Sequence, residues 1–180
     1  SPISGESVIF LRRSFMRLRR GCSGIWIAVL AAALDRISKA AVMAQADPQL
    51  SGGLIFQIPG VVAIRRTHNY GMAFSMFSSG GMWTAIATAL IVAGLAAWLL
   101  LRPDACSKGM RAGLWMIVGG GLGNLYDRIA YGYVIDFIDL QFVRFAVFNL
   151  ADVAICLGAV IAAVSYILAE RKNAASRTKT

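Results

Sequence analysis

The segment GNLYDRIAYGYVIDFIDL, Gly123 to Leu140, carries three aspartates, Asp127, Asp136 and Asp139, within thirteen positions, and Asp152 follows sixteen residues after Asp136. Charged residues make up only 15% of the chain, so such a concentration of acids is a candidate for chemistry. Other catalytic side chains are scarce. The single histidine is His68, and Cys22, Cys106 and Cys156 show neither paired spacing nor a metal-ligand pattern. A His-rich or Cys-rich metal site is thereby excluded. A Ser-His-Asp mechanism would have to rest on His68, and a lone loop histidine is more often solvated or hydrogen-bonding. Carboxylates alone can still work. Two of them held close cannot both ionise easily, so they share a proton: the ionised one takes a proton from water while the protonated one polarises a carbonyl. That is general acid/base hydrolysis of an amide without a covalent intermediate, and it needs two acids on separately positioned pieces of backbone. Asp136 and Asp152, on either side of a turn between antiparallel spans, are a suitable pair.

The elements that position them belong to a membrane chain, because 58% of the residues are hydrophobic and the mean hydropathy is +0.65, too apolar for the surface of a small soluble domain. The 180 residues suit one compact unit, with no Pro- or Ser-rich linker and no visible internal repeat. A bilayer core needs about 20 mainly apolar residues, and Met82 to Leu101 supplies them without a charge. Further spans are predicted at 112–131, uncharged until Asp127 and Arg128, and at 150–169, uncharged after Asp152. The first apolar run, Gly24 to Leu34, becomes long enough only by continuing through DRISKAAVMA to Ala46, with charge inside the membrane. A basic stretch before it and the pattern Ala44-Gln45-Ala46 imitate a cleavable signal peptide, but Asp35, Arg36 and Lys39 lie where such a peptide needs only a short polar region, which favours a retained span. The net charge of +9 sits beside apolar runs, where Lys and Arg set orientation and meet anionic lipid, so no nucleic-acid partner is expected. Arg12, Arg13, Arg17, Arg19 and Arg20 in the basic segment 1–22, then Arg102, Lys108 and Arg111, then Arg171, Lys172, Arg177 and Lys179, place these segments and both termini in the cytoplasm. The other side keeps Arg65, Arg66 and Arg144.

A first helix rising about 1.5 Å per residue from Gly24 puts Asp35 near mid-membrane and Lys39 in the outer half. Asp127 and Arg128 reach the outer end of the third span, Asp152 lies just inside the outer start of the fourth, and Asp136 falls in the connection between them. Each has a structural reading as well. Asp35 and Lys39, four apart on one helix face, could neutralise each other. Asp127 could pair with Arg128 or another residue, Asp136 and Asp139 could be loop acids, and Asp152 could be the N-cap of the fourth helix. Together with Asn69, Asn124 and Asn149 they would make a polar pocket at a membrane surface, where ionisable groups are functional candidates. The glycines of GGGLGN, Gly119 to Asn124, fit close helix packing better than a phosphate loop, which would need a preceding soluble strand and the full GxGxxG spacing.

LDRISK in the first span, NYGMAF (Asn69 to Phe74), GNLYDR (Gly123 to Arg128), GYVIDFI (Gly132 to Ile138) and FNLAD (Phe148 to Asp152) occur in an order and spacing that resembles the lipoprotein signal peptidases, the type II signal peptidases of bacteria. The resemblance runs from about Ala33 to Ala154. It implies a polytopic, mainly α membrane protein of four transmembrane helices with a small extracytoplasmic β-sheet cradle in the first loop, which suits the turn-punctuated sequence LIFQIPGVVAIRRTHNYGMAF. It implies Asp136 and Asp152 as an aspartic catalytic dyad. Asn124, Arg128 and Asn149 look like the residues that orient the dyad and bind the substrate backbone; Asp127, Ala151, Asn69, Gly71, Ala73, Phe74, Asp35 and Lys39 match other signature positions. Asp139 belongs to none of these motifs. The implied substrate is a diacylglyceryl-modified prolipoprotein that enters from the bilayer and is cut on the amino side of its lipidated cysteine. No cofactor and no obligate protein partner are implied, and the expected place is the bacterial inner membrane with the site on its extracytoplasmic face. Two readings compete: a proton-coupled transporter using Asp35, Lys39, Asp127 and Arg128 as a relay, and a structural membrane partner. The first lacks a continuing path through the uncharged second span, and the second leaves every motif a coincidence.

Overall fold

The computed structural model describes residues 21–45, 53–71 and 80–177. Among these, the long helices are α1 (Ile25–Gln45), α2 (Gly80–Leu101), α3 (Lys108–Tyr131) and α4 (Leu150–Arg177). They fall on the predicted apolar segments. The third starts at Lys108 rather than Ala112, because the Ser107 side chain caps it by accepting from the Met110 N–H at 3.2 Å. It stops where Gly132 takes a left-handed conformation (φ 80°) and donates to the Arg128 carbonyl at 3.1 Å. The fourth continues past Ala169 through a charged stretch to Arg177.

Helices α2 and α4 are long and apolar enough to cross a membrane, over Met82–Leu101 and Leu150–Ser176. Helices α1 and α3 fall short of that measure, since Asp35, Arg36 and Lys39 in one and Asp127 and Arg128 in the other lower their hydropathy. Three of those charges face inward: Asp35, Lys39 and Asp127 are fully buried, while Ile37, Leu90, Ile91, Ile129, Leu157 and Val160 are exposed. A polar interior inside an apolar exterior is what a lipid-facing bundle requires.

Helix α3 packs against α1, α2 and α4. Its glycines make this possible one neighbour at a time: a Cβ on Gly119 would press on Ala28 of α1, one on Gly120 on Ala151 and Ile155 of α4, and one on Gly121 on Val92 of α2. The run therefore serves helix packing. Ala28, Val92, Leu99, Trp115 and Val118 form the buried apolar cluster among α1, α2 and α3. Arg111, one of the basic residues used to orient the chain, is instead nearly buried and ties α3 to Ser23 (3.1 Å) and to the Pro103 carbonyl.

A small antiparallel sheet of order β1-β2-β3 completes the fold, with β1 at Leu54–Ile58, β2 at Val62–Asn69 and β3 at Val134–Leu140. Strands β1 and β2 turn at Pro59-Gly60, where Gly60 has φ 74° and Val61 donates to the Ile58 carbonyl at 3.0 Å, the pattern of a type II turn. The first-loop cradle thus holds only two of the strands. The third comes from the segment expected to be a plain connection, and its β-branched run VIDFIDL after Gly132 was the available signal. Asp136 consequently sits on a strand. Phe137 and Ile138 both donate to the Phe148 carbonyl, at 3.0 and 2.8 Å, and Phe148 returns a bond to Ile138 at 3.1 Å, which brings the start of α4 beside β3.

Candidate active site

Asp136 points into the bundle from β3 and is 2% exposed. Its Oδ1 accepts from Asn149 Nδ2 at 2.7 Å and its Oδ2 from Asn69 Nδ2 at 2.9 Å. The second contact follows from strand register: Asn69 pairs with Val134, so Asp136 is its diagonal neighbour on the same face. Asn69 in turn accepts from the Gly71 N–H at 2.9 Å, across a turn in which Gly71 has φ 75°.

Asp152 occupies the first turn of α4 as its third residue rather than its N-cap. Asn149 is the cap. Its Oδ1 accepts from the Asp152 N–H at 3.0 Å, and Asp152 Oδ2 accepts from the Asn149 N–H at 3.2 Å, a reciprocal capping box with Asp in place of the usual Glu or Gln. The other carboxylate oxygen of Asp152 accepts from Asn124 Nδ2 at 2.8 Å. Asn149 therefore holds both acids, one by its side chain and one by its cap. Burial pushes the Asp136 carboxyl up to about 6; the Asn69 bond works against this, the Asp152 charge adds to it, and the Asn149 bond and Lys39 charge oppose it.

Beneath this pair lies a set of buried charges. Lys39 Nζ lies 2.8 Å from Asp35 Oδ2 and 2.7 Å from Asp127 Oδ2 as ion pairs, and it donates to Asn124 Oδ1 at 3.0 Å. Asp35 and Lys39 do neutralise each other, but not alone. Asp35 Oδ1 also accepts from the Ala151 N–H at 3.1 Å, which puts the middle of α1 level with the start of α4 instead of deeper in the bundle. Asp127 does not pair with Arg128: its Oδ1 accepts from Arg36 at 2.6 Å and its Oδ2 from the Ile135 N–H at 3.2 Å. Arg128 donates to the Asn124 carbonyl at 3.1 Å.

These geometries offer what amide hydrolysis without a metal or a covalent intermediate requires, two carboxylates from separate elements joined by shared amide donors. The family model for signal peptidase (SPase) II matches residues 27–168. The chain belongs to the signal peptidase II family. That family consists of aspartic peptidases that remove signal peptides from lipoproteins, and the protein is accordingly a peptidase. It is 40% identical to the lipoprotein signal peptidase of Pseudoalteromonas translucida over 79% of this chain and 87% of that one. It is 38% identical to the lipoprotein signal peptidase of Thermosynechococcus vestitus over 75% and 85%. A bacterial membrane enzyme solved by the in meso method at 1.9 Å superposes with a TM-score of 0.70 at 25% identity, covering 80% of this chain and 92% of the other.

Of the signal peptidase II signature residues picked out in the sequence, Asp35, Lys39, Asn69, Gly71, Asn124, Asp127, Arg128, Asp136, Asn149, Ala151 and Asp152 join one hydrogen-bonded network, some through backbone groups. Ala73 and Phe74 lie outside the described residues. Asp139 stays out of the network, bonded to Gln141 at 2.9 Å and facing Arg65 at 3.8 Å on the sheet. His68 is on β2 and stacks on Tyr133 with ring centroids 4.1 Å apart; burial, helped by the Arg66 charge, lowers its pKa. The participants that the sequence did not reveal are Arg36 and the Ile135 and Asn149 amides. Arg36 stands beside a signature aspartate in LDRISK, but its partner Asp127 is 91 residues away.

Proposed function

We propose that this chain, as a single domain over 1–180, crosses the bacterial inner membrane four times with both termini in the cytoplasm, and that it cleaves diacylglyceryl-modified prolipoproteins on the amino side of the lipidated cysteine at the extracytoplasmic face. Asp136 and Asp152 are the catalytic dyad. The observation that carries this is the pair of carboxylates bound by one residue, Asn149, at the end of the bundle where β3 meets α4. The basic residues at the other ends of the helices support the orientation. Lys39 satisfies both of its acids and Asn124 locally, a closed set that gives no support to a relay running through the bundle.

In this mechanism Asp136, the more buried acid, carries the shared proton, and Asp152, half-exposed at the helix start, takes the proton of the attacking water. The water oxygen bonds to the carbonyl carbon while Asp136 gives its proton to the carbonyl oxygen. On collapse Asp152 passes its proton to the departing amide nitrogen, the C–N bond breaks, and the hydroxyl proton returns to Asp136, leaving the dyad with one proton as at the start. Asn124 and Asn149 fix the carboxylates, and Asn69 at the end of β2 stands beside them, held by the turn to Gly71. Purified enzyme in detergent should cut a diacylglyceryl-modified prolipoprotein and leave its unlipidated twin intact, read as a mobility shift on a gel. Equal cutting of the twin would remove lipid recognition from the proposal, and intact lipidated substrate would remove the peptidase site.

The Asn69 bond favours the ionised form of Asp136, so its loss raises the pKa further and the protonated form survives to higher pH. Asn69→Ala should therefore move the alkaline limb of the kcat/KM profile up by about one unit, the scale of one hydrogen bond to a charged group. An unmoved limb would mean that Asp136 does not govern it.

A further inference from the structure

Arg36 is the one charged side chain of the buried set that no signature motif position assigns, and its contacts are specific. Its Nη1 lies 2.6 Å from Asp127 Oδ1, its side chain is 27% exposed where Asp127 is fully buried, and its guanidinium stacks over the Tyr126 ring at 4.5 Å. Without Arg36, the single ammonium of Lys39 would stand between two buried carboxylates, Asp35 and Asp127, leaving one uncompensated negative charge a few bonds from the dyad. With it, the four charges balance. The Asp127 oxygen not used by Arg36 accepts from the Ile135 N–H at 3.2 Å, and Ile135 precedes Asp136 on β3.

We propose that Arg36 is a positioning residue for the reaction: it closes the charge balance around Lys39 and holds the Asp127 carboxylate on the Ile135 amide, fixing the strand position and the electrostatic surroundings of Asp136. The inference rests on the reading of Asp136 and Asp152 as the dyad. The charged groups around Asp127 are Asp35, Arg36 and Lys39 on α1 and Arg128 on its own helix, and Arg128 in turn interacts with Asp136 on β3 and Asp152 on α4. Removing the positive charge of Arg36 from this set favours protonation of Asp136; removing the negative charge of Asp127 does the opposite.

The test is a cycle of Arg36→Gln, Asp127→Asn and the double variant, with pH profiles of kcat/KM on the lipidated substrate and wild type in the same assay. Arg36→Gln should displace the alkaline limb, the one that Asp136 governs, to higher pH by up to about one unit, and Asp127→Asn should displace it to lower pH. The double variant, neutral again, should return towards wild type. Arg36→Lys, which keeps the charge, should restore the position of the profile even where it lowers the rate. A merely structural Arg36 would reduce thermal stability and the yield of active enzyme without moving that limb. An unmoved limb in Arg36→Gln, or a double variant displaced as far as the single ones, would overturn the inference. Should Arg36→Gln fail to fold, the Arg36→Lys and Asp127→Asn profiles decide: an Asp127→Asn profile at the wild-type position overturns it. Wild-type cleavage in the same assay separates these outcomes from a failure of the dyad reading itself.

Discussion

Asp136→Asn and Asp152→Asn should each lower kcat/KM on a lipidated prolipoprotein by about 10²- to 10⁴-fold, the span expected for loss of a general acid or base. The fold should survive both. At position 152 an asparagine still offers one oxygen, enough to accept from the Asn149 amide and keep the capping box, while its NH2 faces the Asn124 amide and one bond is lost, worth about 1 kcal/mol. At position 136 one of the two amide contacts, to Asn69 or to Asn149, is lost in the same way. Thermal unfolding in detergent should therefore shift little in either variant. Because one proton serves both acids, the double variant should be hardly slower than the slower single one. Turnover at the wild-type rate by either variant would take that residue out of the dyad.

What the sequence made legible follows from how local each signal is. The helices were readable because apolar runs and their ends are local, and so was the i,i+4 contact of Asp35 with Lys39. Asp127 was assigned the adjacent Arg128 as a possible partner, but successive residues on a helix point about 100° apart and do not face each other, so Asp127 turned to α1 and Arg128 to its own helix backbone. Asp152 was read as a cap because aspartate suits that position. The spacing Asn149-x-x-Asp152 held the better answer, a capping box in which the asparagine comes first. Strand β3 was missed because it follows α3 after only a short turn, and a segment between two spans reads as a link. Its partner β2 lies far earlier in the chain, and pairing across that distance leaves no local trace beyond β-branched residues. The same reasoning explains why the sequence places Asn69 in the polar pocket without naming its partner: its diagonal contact with Asp136 exists only once register is known.

Lys39→Met should strongly destabilise the protein, because among the described residues it deletes the group that touches Asp35, Asp127 and Asn124 together. The volume is nearly kept, so the effect is electrostatic: two carboxylates remain buried and Arg36–Asp127 is the ion pair left between them and the cations, and breaking such a set by removing one partner costs about 3–5 kcal/mol. Against a total stability of about 5–15 kcal/mol for an ordinary domain, that would lower the unfolding temperature strongly and reduce recovery of folded protein from membranes. Removing the acids as well should reverse much of this. In Lys39→Met with Asp35→Asn and Asp127→Asn the site holds polar but nearly uncharged groups, Ala151 and Ile135 keep an oxygen to bond, and thermal stability should return most of the way to wild type. Activity should not return with it. The Lys39 charge opposes protonation of Asp136, and its bond to Asn124 Oδ1 turns the amide so that Nδ2 meets Asp152. A triple variant that is stable yet slow would separate the two duties of this lysine, holding α1 to α3 and setting the dyad. A Lys39→Met protein as stable as wild type would show that the two acids do not depend on it.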